Sequence, residues 1–283
     1  QIYRREGLEL SKSTLCDMVT DVADLVLPVY QHLRAGVLRS KVIQTDDTPV
    51  LLRRDDESGR SKRCHLFAYG GDQGDWVYEF TTSHTRDAPL AFFRDYQGYG
   101  QADAWSGYDE LFRKKPVIEV GCWAHARRYF VQALGTAPQH AALALALIRE
   151  LYQVERAAKE LQPEARRELR QARSRAVLEL LEKHLRELEE RVLPKSSIGK
   201  AVRYTLGNWR ALNRYLEDGD LQIDNNASER ALRGVAVGRK NWLFAGSRDG
   251  GQRAAILYSL VFTCKVNGVE PFAYFRDVIA RIS

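Results

Sequence analysis

Three carboxylates stand where a strand or a helix starts or stops in the chain: Asp46, Asp103 and Glu229. Carboxylates so far apart in sequence do joint chemistry only if a fold gathers them. Gathered, their hard oxygens suit Mg²⁺, which keeps part of its coordination shell for water and substrate phosphate. Two such ions about 3.5–4 Å apart activate a nucleophile and stabilise the leaving oxygen of an in-line phosphoryl displacement. Each carboxylate also has a plainer reading. Asp46, followed by Asp47, Thr48 and Pro49, has the composition of a turn. Asp103 fits a solvated strand end. Asn226-Ala-Ser-Glu229 has the spacing of a capping box, with Glu229 bonding back to the cap.

The neighbours of these carboxylates are basic and aromatic. Arg127 and Arg128, Arg230 and Arg233, and Arg239 and Lys240 are expected near the ends of the elements that carry the carboxylates, and from Asp224 to Arg253 six basic residues face three acidic ones. Positive charge beside a carboxylate cluster is what a phosphate backbone needs. Trp105 and Trp242 suit stacking on an exposed base, and equally suit a core or lid. Cys122 and His125 form a C-x-x-H pair. Zinc needs four ligands, and no second pair is evident beyond Cys64-His65. The readings left for these two are a buried thiol and a histidine that orients a neighbour, meets a phosphate or is simply satisfied.

The elements that must position these residues follow from periodicity. Residues 1 to 38 read as helix, broken at Pro28. Val42–Asp46 and Val50–Arg53 read as two strands, Asp55–Ser61 as a polar loop, and Arg63–Tyr69 and Trp76–Thr81 as strands around the Gly70–Gly74 turn. A helix over Pro89–Tyr96, a strand over Gly100–Trp105 carrying Asp103, a helix over Tyr108–Arg113, a strand over Val117–Cys122 and a helix over Ala124–Leu134 follow. Gln139–Tyr215 has leucine and alanine stripes and no strand signal. Its stretch from Arg149 to Lys195 holds 12 basic and 10 acidic residues, a balance expected of solvated helix faces and not of a basic groove. Asp224–Arg233 starts a helix, Gly238–Ser247 reads as a basic, aromatic loop, and helices over Gly251–Val266 and Phe272–Ile282 close the chain.

This order predicts an α/β fold: an RNase H-like core, with a mixed five-stranded sheet and flanking helices, interrupted by an all-helical insertion. In that order the first and fourth strands lie side by side, so Asp46 and Asp103 share metal ions, and Glu229 joins them from a later helix. The expected division is a helical segment over 1–40, the first part of the core over 41–136, the insertion over 137–220 and the last part of the core over 221–283.

Composition bounds the alternatives. With 283 residues, 45% hydrophobic and 28% charged, the chain is long enough for a large buried core, and disorder, collagen and coiled coil are excluded as the whole answer. The net charge of +6 fits a nucleic-acid partner. The longest apolar runs, Ala141–Ile148 and Ala254–Phe262, fall short of the roughly 18 residues of a membrane span. Cys16, Cys64, Cys122 and Cys264 are scattered and form no C-x-x-C pair, as expected of reduced thiols in the cytoplasm. The chain opens on Gln1 and its only methionine is Met18, so it is expected to be part of a longer protein.

Several long motifs occur in one order: Thr45-Asp46-Asp47-Thr48-Pro49, Gln101-Ala-Asp103-Ala-Trp-Ser-Gly-Tyr108, Gly121-Cys122-Trp-Ala-His125-Ala-Arg127-Arg128-Tyr-Phe130, Asp224-Asn-Asn226-Ala-Ser-Glu229-Arg230-Ala-Leu-Arg233 and Gly238-Arg239-Lys240-Asn-Trp242-Leu-Phe-Ala-Gly-Ser247, then Gly250-Gly251 and Pro271-Phe-Ala-Tyr274. Together they resemble the DDE transposases of the insertion-sequence-66 class, from about Gly7 to the C-terminus and most weakly in the helical block. The resemblance implies Asp46, Asp103 and Glu229 as the catalytic, metal-holding set, with Mg²⁺, or Mn²⁺ in its place, as cofactor. It implies element ends and target DNA as partners, a dimer or higher assembly on DNA, accessory proteins of the same element, and a bacterial cytoplasmic, nucleoid-associated location with no membrane. The family's usual first motif has Glu where this chain has Asp47, which leaves a supporting role for a shorter side chain, alongside His125, Asn226 and Trp105. Its full-length members carry N-terminal DNA-binding and zinc-binding segments. The activity implied is hydrolysis at an element end followed by attack of the freed 3′-OH on target DNA. The alternatives are an RNase H-like nuclease or resolvase that cuts without joining, and a domesticated, non-catalytic DNA-binding protein.

Overall fold

The computed structural model describes residues 5, 7–53, 61–114 and 116–282. In chain order its elements are α1 (Lys12–Leu25), α2 (Leu27–Leu38), β1 (Val42–Leu52), β2 (Lys62–Gly70), β3 (Trp76–Thr81), α3 (Asp87–Phe92), β4 (Gly98–Gln101), α4 (Asp109–Lys114), β5 (Val117–Val120), α5 (Trp123–Ala133), α6 (Pro138–Ala158), α7 (Pro163–Glu189), α8 (Ser197–Gly207), α9 (Trp209–Asn213), α10 (Asn226–Trp242), α11 (Arg248–Val266) and α12 (Pro271–Ile282). The expected α/β character, five strands and mixed pairing are present. Apart from Ser61, the polar loop expected over Asp55–Ser61 lies outside the described residues. Packing divides the chain into two units, one formed from residues up to Tyr96 and from Ala227 onward, the other from Gln97 to Asn226.

In the first unit β1, β2 and β3 form an antiparallel meander, with Asp46 opposite Ala68 and Ala68 opposite Tyr78. Side chains of opposed residues point the same way and alternate along each strand. Asp46, Thr48, Val50, Leu66, Ala68, Trp76, Tyr78 and Phe80 therefore face one side. There Val50, Leu66, Ala68, Trp76 and Tyr78 pack with Ala231, Leu232 and Val235 of α10 and Ala255 of α11. On the other side the Tyr69 ring stacks on Phe92 of α3 at 3.6 Å, and the Arg34 guanidinium of α2 sits 4.9 Å from the Phe92 ring. The outer edge of β3 is not left for another strand to pair with. Ser259 of α11 accepts the Tyr78 N–H (2.8 Å), and the Thr263 hydroxyl accepts the Trp76 N–H (3.0 Å) and donates to the Trp76 carbonyl (3.1 Å).

Two stretches read as turn or loop belong to regular elements. The expected pair of strands on either side of Asp46–Pro49 is one strand of 11 residues. Turn composition loses because β2 offers a continuous partner, and the carbonyl of Pro49 is taken by Arg239 at 2.6 Å. The stretch from Gly238, expected as loop, continues α10 to Trp242, because Ala231, Leu232, Val235 and Trp242 keep helical spacing against the sheet. The helix ends at Leu243, which adopts φ 61°. The chain then docks back on β1, Ala245 donating to Leu51 and accepting from Arg53. The Pro28 break behaves as expected, with proline in the first turn of α2.

In the second unit β4 and β5 pair in parallel. Asp103, expected at the end of the fourth strand, lies two residues past the end of β4. The helical block is an antiparallel pair, α6 and α7, whose buried residues recur every three or four positions: Ala141, Ala144, Ile148 and Leu151 on one helix, Leu178, Leu181, Leu185 and Leu188 on the other. Arg170 interrupts the α7 stripe and is fully buried. Its guanidinium donates to both Glu155 oxygens (2.8 and 2.7 Å) and to the carbonyls of Tyr215, Asp218 and Leu221. At Gly121, just past β5, a Cβ would meet the Leu212 backbone nitrogen at 2.9 Å, so the close approach of α9 requires glycine. Among the described residues no helix is long and apolar enough to cross a membrane.

Candidate functional site

Asp46 is half-buried on β1, and its Oδ1 accepts the N–H of Asp47 at 2.8 Å. It points to the face of the meander that α10 covers. Glu229, also half-buried, sits in the first turn of that helix. Tyr78, in the same cross-strand row as Asp46, donates its hydroxyl to the Ala231 carbonyl at 2.7 Å, two residues after Glu229. In the next row Thr48 accepts a bond from Arg239 at 2.9 Å. The helix bearing Glu229 is thus fastened to the row of Asp46 near its start and to β1 near its end. Arg239 gives two of its donors to this anchoring. Arg230, Arg233 and Lys240 on the same helix are exposed.

Asp103 belongs to the second unit. It is half-buried, and its Oδ1 accepts the N–H of Trp105 at 3.2 Å, which starts the short 3₁₀ turn Ser106–Tyr108. Trp105 meets Tyr108 edge-on at 5.3 Å. Tyr204 of α8 is near enough to feel the Asp103 charge. Burial first, then the Cys122 and Asp103 side chains, push its phenol above the ordinary range. A second carboxylate, Asp224, was not singled out from sequence. It accepts from the Tyr152 hydroxyl of α6 at 2.8 Å and from the backbone and side-chain nitrogens of Asn226 at 3.1 and 2.7 Å. Asn226 is therefore held by Asp224. Cys122 is buried at the start of α5, its thiol pushed up to about 12 chiefly by burial, which suits a packed thiol and opposes zinc ligation, since zinc binds the thiolate. His125 lies half-buried one turn on, and Arg127 and Arg128 are exposed on α5. Trp242 lines an apolar pocket of about 280 Å³ with Val50, Phe80, Phe244 and Tyr258, within the first unit.

The residue after Asp46 points the opposite way. Asp47 Oδ2 lies 2.5 Å from His65 Nδ1, and Asp47 Oδ1 lies 3.1 Å from His84 Nε2. The two imidazoles stack at 3.9 Å, 7° from parallel. Burial lowers the His65 pKa against the pull of Asp47. The sequence showed only Cys64-His65 here, and strand alternation separates those two onto opposite faces. The signal that could have found the cluster is register. With Asp47 opposite Phe67, the residue two before it, His65, is a same-face diagonal neighbour.

Comparison with known proteins agrees with these motifs. Residues 1–253 match the family model described as Transposase IS66 family, and residues 259–283 match the IS66 C-terminal element. The chain is 33% identical over 297 residues to the protein named "Uncharacterized protein y4jD" of Sinorhizobium fredii, covering all of this chain and 58% of that protein. It is 30% identical over 304 residues to "Uncharacterized protein y4hP" of the same organism, covering 99% of this chain and 55% of the relative. The chain thus spans a little over half the length of the curated relatives it matches.

Proposed function

The chain belongs to the IS66 transposase family, and we propose that it is the catalytic portion of its transposase, an RNase H-like core interrupted by a helical insertion. Asp46, Asp103 and Glu229 are assigned as the carboxylates that hold Mg²⁺ or Mn²⁺. The observation that carries this reading is the fastening of the Glu229 helix to the Asp46 row by Tyr78 and to β1 by Arg239. The donor set fits the ions: carboxylate oxygens, half-buried, with Asp46 and Asp103 each having one oxygen oriented by a backbone N–H. When bound, the cations would favour the attacking oxygen and stabilise the leaving one.

The residues of the chain divide the remaining work. The exposed Arg127, Arg128, Arg230, Arg233 and Lys240 would hold the phosphates of element-end and target DNA. Arg239 would keep the Glu229 helix at a fixed distance from β1. The reaction is hydrolysis at the element end, then attack of the freed 3′-OH on target DNA in the same site, with no covalent protein–DNA intermediate. The test uses the full-length protein and duplexes carrying the ends of its own element. Asp46→Asn, Asp103→Asn and Glu229→Gln are each expected to lose nicking and joining while keeping DNA affinity. Strand transfer at wild-type yield by any of them would overturn the assignment of that residue. Wild-type nicking without joining would make the protein a nuclease.

A further inference from the structure

We propose that Asp47, His65 and His84 form a second cation site, on the face of the meander opposite Asp46, selective for an imidazole-binding divalent ion of the zinc class. The three residues come from β1, β2 and the turn after β3, all within the first unit. One oxygen or nitrogen from each lies within 4.8 Å of the others. Tetrahedral zinc, with bonds of about 2.0–2.2 Å to histidine and carboxylate, needs ligand atoms roughly 3.3 Å apart, so the Asp47–His65 pair, now 2.5 Å apart, would open while the wider separations, all within 4.8 Å, would close. One carboxylate and two histidines, with a remaining position for water, is a ligand set for zinc and its transition-metal neighbours. Mg²⁺ prefers all-oxygen sites.

The groups are already prepared to bind. His65 is 6% exposed and Asp47 16% at the side chain. His84 is 35% exposed and sits in a turn whose own bonds, Thr81 to the Ser83 carbonyl and Thr85 to Asp87, leave its ring outside the turn. The stack sets the two rings side by side, and each nitrogen facing the Asp47 carboxylate donates an N–H that a metal would displace. His84 is therefore the ligand that must rotate, and its exposure permits this. Binding would exchange the bonds that now join Asp47 to the imidazoles for metal bonds. It would tie the turn after β3 to the strand that carries Asp46. The site stands independently of the transposase assignment.

Co²⁺ is the probe, because its visible d–d bands report nitrogen and oxygen ligands, and thiolate charge-transfer bands would betray a cysteine. A Cys16→Ser background removes the exposed thiol. Bands that Zn²⁺ abolishes and excess Mg²⁺ leaves intact are expected. His84→Ala and Asp47→Asn should weaken binding by at least the ~10–100-fold that loss of an outer-shell partner alone causes, and His84→Cys should restore it with a thiolate band. His84→Ala lies at the surface and is expected to fold, which its melting curve verifies. Asp46→Asn and Glu229→Gln should leave the bands unchanged. Absence of Co²⁺ bands in the wild type, or identical affinity in His84→Ala, would overturn the site and reduce the cluster to a carboxylate clamped by two imidazoles.

Discussion

Arg170→Met removes the fully buried guanidinium that, beside Arg166 on Gly219, holds the helical block to the segment leading into Asp224. Arg170 is fully buried and Glu155 only 14% exposed, and all five guanidinium donors are used. The substitution keeps most of the volume. It leaves a nearly buried carboxylate without its cation and three carbonyls without their donor. Breaking a buried ion pair from one side costs about 3–5 kcal/mol, and the orphaned carbonyls place the loss toward the upper part of that range. For a unit of this size each kcal/mol lowers the melting temperature by roughly 3–5 °C, so a fall of about 12–25 °C is expected. Thermal and urea unfolding measure it. Hydrogen exchange should accelerate over residues 214–224, where the released carbonyls lie. The companion Arg170→Met/Glu155→Leu, apolar on both sides, should recover much of the loss, because the stranded charge is gone. A single-variant loss under about 1 kcal/mol, or a double variant no more stable than the single, would refute the view that this pair is a buried, desolvated tie.

Three further outcomes follow from particular contacts. Arg239→Ala should lower stability by about 1–2 kcal/mol, less than two fully buried charged bonds would give because the residue is partly exposed; strand transfer should fall with it, and unchanged transfer would remove its positioning role. In the native protein one thiol, the exposed Cys16, should react rapidly with a disulfide reagent, whereas Cys64, Cys122 and Cys264, buried and with thiol pKa raised by burial, should react only on unfolding; fast reaction of a second thiol would contradict that burial. Glu79 is pushed above its usual 4.5 by burial, with Arg34 opposing, so its folded form holds the proton more tightly than the unfolded one. Its stabilising contribution is then complete below about 4.5 and is lost as pH rises through the folded value. Glu79→Gln, which does not titrate, should gain on the wild type as pH rises above that point, and a flat difference in urea midpoints would refute the shift.

Much of the architecture was legible because it follows from local periodicity. The helical block showed in its leucine and alanine stripes, and the meander in its alternation around the Gly70–Gly74 turn. The misread boundaries both have tertiary causes. Asp46–Pro49 has turn composition but is held extended by β2 and by Arg239, a residue 190 positions away. Gly238–Trp242 looks like loop until the sheet surface that Val235 and Trp242 cover is known. The site residues divide the same way. Asp46, Asp103 and Glu229 stood out by motif. Tyr152 and Tyr204 did not, because single polar residues on helices carry no periodic signal, and Asp224, though inside a motif, read only as the start of a helix. His84 is still less visible, since it gains meaning only from the register of two strands before it.

The pair Asp46-Asp47 shows how alternation separates neighbouring carboxylates on a strand. One residue apart, the two carboxylates point to opposite faces. Asp46 faces the helix that bears Glu229, and the partners assigned to it offer oxygen only. Asp47 faces two imidazoles, 2.5 and 3.1 Å from its own oxygens. Adjacent carboxylates on a loop would compete for one cation. On this strand the backbone separates them, and the ions proposed for them differ in the ligand softness they prefer. A shift of β1 by a single residue would exchange the two environments. The long pairing with β2, from Gln44 to Leu52, together with the Arg239 anchor on Thr48 and Pro49, therefore does more than stabilise the sheet: it determines which aspartate faces α10 and which faces the imidazoles.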